Sequence, residues 1–210
     1  METMIAKLGA EQRDGFLFLA NQLSLDFLNT RPLMNGQAVE LLPDLAAVLR
    51  WFQSAGLLSA KTAKRLRQKW NHSARARRSV VRLRAFRERL RQAVSAWEDG
   101  KALAPSLIAE LNRLMAEHPM LIRLRSGERG AEMDLHFDPR NPEDLLAPIV
   151  QSAATLFAGA DPGRVRKCSN CVLHFLDISK KGTRRWCSMQ LCGNRFKVAA
   201  YAARQRAARP

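Results

Sequence analysis

The 210-residue sequence has no apolar run near the roughly 20 residues that a membrane-spanning helix needs. Its most apolar stretch, residues 145–160, is interrupted by Pro148, Gln151 and Ser152. The N-terminus, Met1-Glu2-Thr3, lacks the apolar segment of a secretory signal. We therefore expect no membrane partner, and we expect a cytoplasmic protein whose cysteines stay reduced.

Catalytic signatures are also missing. The sequence shows no Ser/His/Asp set, no glycine-rich phosphate loop and no cluster of metal-binding histidines. Single acids such as Asp26, Asp134 and Asp138 form no recognisable constellation. We therefore expect that the protein is not an enzyme and that its N-terminal domain senses a ligand or mediates assembly. A ligand-filled pocket near Asp26 and Asn29 would support the sensor or revive the enzyme alternative.

Acidic residues are few. The chain holds 19 acidic and 35 basic residues, which gives a net charge of +16. Residues 61–91 contain 13 basic residues and one acidic residue, and residues 161–210 contain 12 and two. Two concentrated basic blocks indicate a polyanionic partner such as nucleic acid, whereas the alternative is a charge that serves solubility alone.

Only four cysteines occur, and all lie within 25 residues: Cys168, Cys171, Cys187 and Cys192. Two close pairs separated by a loop are the arrangement that a tetrahedral four-thiolate metal site needs. Zn²⁺ suits such soft ligands, so the pattern predicts a structural zinc ion. Two disulfides, a redox Cys-x-x-Cys pair and an iron–sulfur cluster remain alternatives, and His174 is a conceivable substitute ligand.

The residues around the last two cysteines carry a family resemblance. Trp186-Cys187-Ser188-Met189, followed by Cys192-Gly193-Asn194-Arg195 and Lys197, resembles the CGNR zinc-finger family over residues 164–206. An N-terminal domain called ABATE usually precedes that finger, and Leu23-Ser-Leu-Asp26-Phe-Leu-Asn29-Thr30 is similar to its opening signature. The resemblance implies a stress-linked transcription regulator.

The chain divides at Gly159-Ala-Asp-Pro162-Gly163, which reads as a linker. We predict an ABATE-like domain over residues 1–160 and a CGNR-type finger over residues 161–210. Helical periodicity predicts helices over residues 43–55, 60–70, 79–97 and 105–117, and alternation predicts a β-hairpin within residues 121–137. The predicted fold class is a mainly α N-terminal domain with a small β-hairpin, followed by a small four-cysteine zinc finger.

The finger is predicted to resemble a treble clef, with a β-hairpin and a C-terminal helix. We expect Phe175-Leu176-Asp177 to pair with Arg184-Arg185-Trp186 across a glycine-ended turn. Because this module has so small a core, zinc should supply most of its folding free energy. Cys192→Ser should then unfold the finger and leave the larger domain intact.

The finger also supplies the predicted nucleic-acid contacts, because lysine and arginine bind phosphates and arginine can read guanine edges. These residues are Lys180, Lys181, Arg184, Arg185, Arg195, Lys197 and Arg204. Duplex DNA is the favoured partner, and the alternative is a zinc-stabilised protein that binds RNA or associates with the ribosome.

Asp26, Asn29 and Thr30 are polar residues within an apolar stretch. They are candidates for lining a pocket for an unidentified small ligand. The favoured alternative is structural: such side chains cap helices and bind loop amides.

Overall fold

The computed structural model describes residues 11–34, 36–128 and 130–207. Within these residues the chain forms seven α-helices and four two-stranded antiparallel sheets. The mainly helical N-terminal region and the C-terminal four-cysteine module with strands and a helix confirm the predicted fold class.

The N-terminal region begins with short elements that frame one buried helix. They are β1 (Glu11–Arg13), β2 (Phe16–Phe18), α1 (Leu23–Leu28), β3 (Leu33–Met34) and β4 (Gln37–Ala38). Five of the six residues of α1 are buried, so this helix lies inside the core rather than on its surface.

Helix α2 (Leu45–Ser54) starts two residues later than the predicted start at residue 43. Asp44 takes the N-cap position, and its side chain accepts a hydrogen bond from the Ala47 amide at 2.8 Å. Pro43 therefore precedes the helix instead of opening it.

Two serines set the boundaries of the next helices, α3 (Ala60–Trp70) and α4 (Ala74–Glu98). Ser59 caps α3 through the Thr62 amide, and Ser73 caps α4 through the Ala76 amide. Because Ser73 satisfies an orphan amide, α4 begins five residues before the predicted start at Ser79. The 25-residue helix is thus about 37 Å long.

Helix α5 (Pro105–Glu117) leads into a hairpin of β5 (Leu121–Gly127) and β6 (Gly130–His136). The predicted hairpin is confirmed, with Ile122 opposite Leu135 and Leu124 opposite Met133. This apolar face is largely uncovered: Ile122, Leu124 and Met133 are 70–75% exposed.

Pro148 delays the following helix, as its missing amide predicts. Residues 142–146 form a 3₁₀ turn, and α6 (Ala147–Gly159) begins only there, with the proline in its first turn. A second 3₁₀ turn, Pro162–Arg164, then leads to β7 (Val165–Lys167) and β8 (His174–Leu176). A π-helical turn, Met189–Gly193, and α7 (Asn194–Ala207) complete the chain.

Trp51 anchors the core of the N-terminal region. It is fully buried, and its ring lies 5.2 Å from that of Phe52, 5.7 Å from that of Phe27 and 6.0 Å from that of Phe18. The same continuous apolar cluster extends to Phe175 of β8, so the two regions share one core. No helix among the described residues is long and apolar enough to cross a bilayer.

Candidate metal centre

The first cysteine pair lies in the turn of the β7–β8 hairpin. Val165 pairs with Leu176, and the chain folds back so that the Cys168 amide donates to the Leu173 carbonyl at 2.8 Å. This tight return places Cys168 and Cys171 at the same end of the hairpin.

The second pair is positioned by a π-helical turn. Ser188 caps this turn, accepting from the Leu191 amide through its hydroxyl and from the Cys192 amide through its carbonyl. Cys187 and Cys192 therefore lie on either side of one capped turn, with Cys192 immediately before α7.

The four sulfur atoms converge, and all lie within 4.8 Å of one another. Sγ of Cys187 is 3.7 Å from that of Cys171 and 3.6 Å from that of Cys192. A tetrahedron with Zn–S bonds of about 2.3 Å has edges of about 3.8 Å, so the spacing fits a zinc ion. These separations are too long for disulfides, whose S–S bonds are about 2.05 Å. The residues thus form a structural zinc site.

The thiols influence each other's ionisation. Hydrogen bonds from Cys171 and Cys187 lower the pKa of Cys168, while the hydrogen bond to Cys168 raises the pKa of Cys171 to about 12. The Cys187 pKa is raised for the same reason, chiefly by Cys168. Several thiolates therefore need the positive charge of a metal ion before they can form together.

The predicted pairing of residues 175–177 with residues 184–186 is wrong. β8 pairs with β7 instead, and no strand forms at 184–186. The reason is Asp177, a fully buried carboxylate that accepts hydrogen bonds from the Ser179 and Arg184 amides. Because the Arg184 amide donates to Asp177, it cannot donate to a neighbouring strand, and residues 184–186 do not begin a β-strand.

Arg184 supports the metal centre from outside. Its guanidinium donates to the carbonyls of Trp186 and Cys187 and lies 4.5 Å from the centre of the Phe175 ring. These contacts order the chain next to a zinc ligand. Binding of Arg184 to nucleic acid stays a prediction. Such binding would compete with these contacts inside the protein.

Asn29 joins the finger to the helical region. Its side-chain amide donates to the His174 carbonyl at 2.9 Å and accepts from the His174 amide at 3.0 Å. Further along β8, the Leu176 amide donates to the Ala20 carbonyl, and Asn21 donates to the Leu176 carbonyl. The outer edge of β8 is therefore paired by residues from the start of the chain, as a neighbouring strand would pair it.

Asp26 and Thr30 are buried beside Asn29 and have partners of their own. Asp26 accepts from the amides of Leu19 and Ala20, each at 2.9 Å, although burial still raises its pKa to about 7. Thr30 donates to the Phe27 carbonyl at 2.7 Å. Asp26, Asn29 and Thr30 thus each form hydrogen bonds within the protein. A ligand that binds near them stays a prediction.

His174 faces the helical region and not the sulfur atoms. It is 2% exposed, and its Nε2 lies 3.5 Å from the Ser95 hydroxyl and 3.6 Å from Glu98. Burial, together with the charges of Arg91 and Lys167, lowers its pKa to about 4. The side chain is therefore neutral at physiological pH, and the metal-ligand group among the described residues consists of cysteines alone.

Glu98, at the end of α4, also holds the finger in place, and the sequence analysis did not predict this role. Its carboxylate accepts from the Lys167 amide at 2.5 Å, which fastens β7 to the end of α4. No local pattern signals this role, because Glu98 and Lys167 are 69 residues apart in the chain.

The remaining predicted nucleic-acid contacts lie on the outside of the finger. Lys180, Lys181 and Arg185 are exposed in the loop between β8 and Cys187, and Lys197 and Arg204 are exposed on α7. Arg195 also belongs to α7, but its side chain lies outside the described part of the structure.

Together, the fold and the sulfur cluster define a mainly helical protein with a structural zinc finger at its C-terminus. Residues 21–160 match the family model ABATE, described as "Putative stress-induced transcription regulator", and residues 164–205 match the CGNR zinc finger. The chain belongs to the ABATE family and carries a CGNR zinc finger. A search of curated proteins found no match. The domain boundary after residue 160 stays a prediction, since the two regions pack as one cluster.

Proposed function

We propose that the protein is a DNA-binding transcription regulator whose finger contacts the duplex backbone. The observation that carries this proposal is the unbalanced charge of the finger surface. Residues 161–210 contain two acids, Asp161 and Asp177, and Asp177 is fully buried. The exposed cations of the finger that form no ion pair within the described part of the chain are available to phosphates. They include Lys180, Lys181, Arg185, Lys197 and Arg204.

The zinc ion supports this role by rigidity and not by chemistry. Four thiolates complete a tetrahedral coordination shell and leave no position for a reactive water. We accordingly propose a non-enzymatic protein in which zinc, Asp177 and Asn29 hold the cationic loop and α7 at fixed positions on the helical region.

Titration of a labelled 24-base-pair duplex of random sequence, at several salt concentrations, tests the proposal. If the finger contacts about five phosphates, log K should fall with log salt at a slope of about −4.5. No measurable affinity for duplex, or an affinity that salt leaves unchanged, would count decisively against DNA binding.

A pair of charge-matched variants locates the contact. Lys180→Gln/Lys181→Gln should flatten the salt slope by up to about 1.8, because each lost phosphate contact removes about 0.9. The control, Arg50→Gln/Lys101→Gln, removes the same charge from exposed positions outside the finger. Equal effects of both variants would show that the lysines of the loop make no specific contact.

RNA is the second candidate partner, because the same cations bind its phosphates. Competition between the labelled duplex and equal nucleotide concentrations of structured or single-stranded RNA separates the two. Stronger competition by RNA than by unlabelled duplex would reassign the function to RNA.

A further inference from the structure

The basic block of residues 61–91 has two halves that differ in their partners. From Arg84 to Arg91, every arginine has a carboxylate within 3.3 Å. Glu40 pairs with both Arg84 and Arg87, while Glu110 pairs with Arg89. The arginines of this half are therefore already paired with carboxylates of the protein itself.

The other half covers α3 and the first turns of α4, and here the cations are exposed and mostly unpaired. Among the described residues, two cations of this half form ion pairs. A nitrogen of Arg65 lies 3.8 Å from a carboxylate oxygen of Asp138, and a nitrogen of Arg75 lies 2.8 Å from one of Glu143. The exposed cations that have no acidic partner among the described residues define the α3–α4 patch. They include Lys61, Lys64, Arg67, Arg77, Arg78 and Arg82.

Solubility alone does not require so uneven a distribution. The chain places carboxylates against the second half of α4 but brings few to the first half, although both halves belong to one helix. Repulsion among the unpaired cations disfavours the folded state, and a polyanion would relieve it. A row of phosphates is the class of ligand that such a cluster of exposed, unpaired cations binds.

Helix α4 also relates the patch to the finger. Ser95, whose hydroxyl lies 3.5 Å from His174 of the finger, follows Arg77 by 18 residues, or five full helical turns. Arg77 and Ser95 therefore lie on the same line along α4, about 27 Å apart. Arg77, which belongs to the patch, and the finger therefore lie along the same side of this helix, at an axial separation somewhat below the roughly 34 Å of one turn of B-DNA.

We propose that the α3–α4 patch is a second contact for the DNA backbone, which binds the duplex about one turn away from the finger. This inference rests on the proposed function, since it names a further part of the same interface. The patch supplies phosphate contacts and so adds affinity without sequence preference.

The test compares Arg78→Gln/Arg82→Gln with the control Arg50→Gln/Lys101→Gln, using the full-length zinc-loaded protein. Both variants remove two charges from exposed positions, and glutamine preserves helix propensity. On the 24-base-pair duplex, the patch variant should flatten the salt slope by about 1.8 relative to wild type. At 0.1 M salt its affinity should fall by on the order of 60-fold, and the control should change far less.

A shorter ligand tests the separation of the two contacts. A 6-base-pair stem closed by a loop is only about 20 Å long, so it cannot reach both surfaces. The patch variant should bind this stem almost as well as wild type, because the finger alone can hold it. An equal loss on the stem and on the long duplex would overturn the proposed separation.

Other outcomes are equally decisive. If wild type binds the long duplex but the patch variant behaves as the control, the inference fails while the proposed function stands. If wild type binds no duplex, the proposed function itself fails. If the patch variant loses affinity for a structured RNA but binds the duplex as wild type does, the assignment of the patch to DNA is overturned.

Discussion

Residues 21–160 bury Trp51, Phe52 and Phe86 in a large apolar core, whereas residues 164–205 bury few large apolar side chains besides Phe175. The finger instead buries three of its cysteines and the carboxylate of Asp177. Apolar burial is sufficient to organise the first region. The second needs a metal ion, buried hydrogen bonds and the support of its larger neighbour.

This comparison changes the expectation for the finger. The β7–β8 hairpin of the finger depends on the helical region, because Asn29 and Glu98 form hydrogen bonds with backbone groups of its two strands. Loss of zinc should therefore disturb the surface of the helical region as well, although the core around Trp51 should persist.

The largest effect should follow loss of a zinc ligand. Cys192→Ser should remove zinc binding and unfold residues 164–205, since structural zinc contributes on the order of 10 kcal/mol in finger peptides. Limited proteolysis and metal content measure the result, and Ser169→Ala, an exposed change between Cys168 and Cys171, is the control. A fully zinc-loaded, protease-resistant Cys192→Ser protein would contradict the prediction.

In the helical region, the next largest effect should follow the breaking of a buried ion pair. Arg87 is 1% exposed and donates to Glu40 at 2.9 Å and to Thr30 at 2.8 Å. Glu40→Gln should lower the free energy of unfolding by about 3 kcal/mol, because a buried charge loses its main partner. Denaturant unfolding measures this loss, and Glu117→Gln, at an exposed pair with Arg113, should cost under about 1 kcal/mol.

The same pair should impose a pH dependence. Burial raises the pKa of Glu40, but hydrogen bonds and positive charge from Arg87 outweigh burial, and the net pKa lies below 4.5. The contribution of Glu40 to stability should therefore be complete above pH 4.5 and disappear as the pH falls through the lower folded value. An acid transition that Glu40→Gln leaves unchanged would show that Glu40 makes no such contribution.

A smaller effect should follow removal of the joint between the regions. Asn29→Ala leaves the buried amide and carbonyl of His174 without their partners, which should cost about 2–3 kcal/mol. Hydrogen exchange at the His174 amide and the rate of zinc transfer to a chelator should both increase. Asn71→Ala, at an exposed position, is the control; unchanged exchange in Asn29→Ala would show that the joint is dispensable.

Asp26 should have the smallest effect. Burial raises its pKa from 3.8 to about 7, so between these values the folded protein binds more protons than the unfolded chain. Stability should therefore fall by about 2 kcal/mol from pH 5 to pH 7 through this group alone. Asp26→Asn should flatten that part of the pH profile in urea unfolding. The exposed Asp138→Asn should not, and a profile that Asp26→Asn leaves intact would refute the assignment.

Some elements could be predicted because their causes are local. Ser59 caps α3, Pro148 delays α6, and alternating residues form the β5–β6 hairpin, each through neighbours within a few positions. The zinc ligands belong to the same category, since the spacing of the two cysteine pairs is itself the signal.

Other features depended on contacts between distant residues. The β7–β8 pairing was missed because Asp177, whose role no periodic pattern marks, binds the Arg184 amide that was assigned to a strand. The burial of Arg87 could not be predicted either, because its partners Glu40 and Thr30 come from another part of the chain.

By itself, the sequence determined the helices, the four-sulfur site and the excess of positive charge, because capping residues, cysteine spacing and composition act locally or additively. Which arginines form ion pairs, and how the finger is attached to α1 and α4, depend on the packed structure. Ion pairs and strand-edge hydrogen bonds join residues far apart in the chain. Their partners are therefore known only when packing has brought them together.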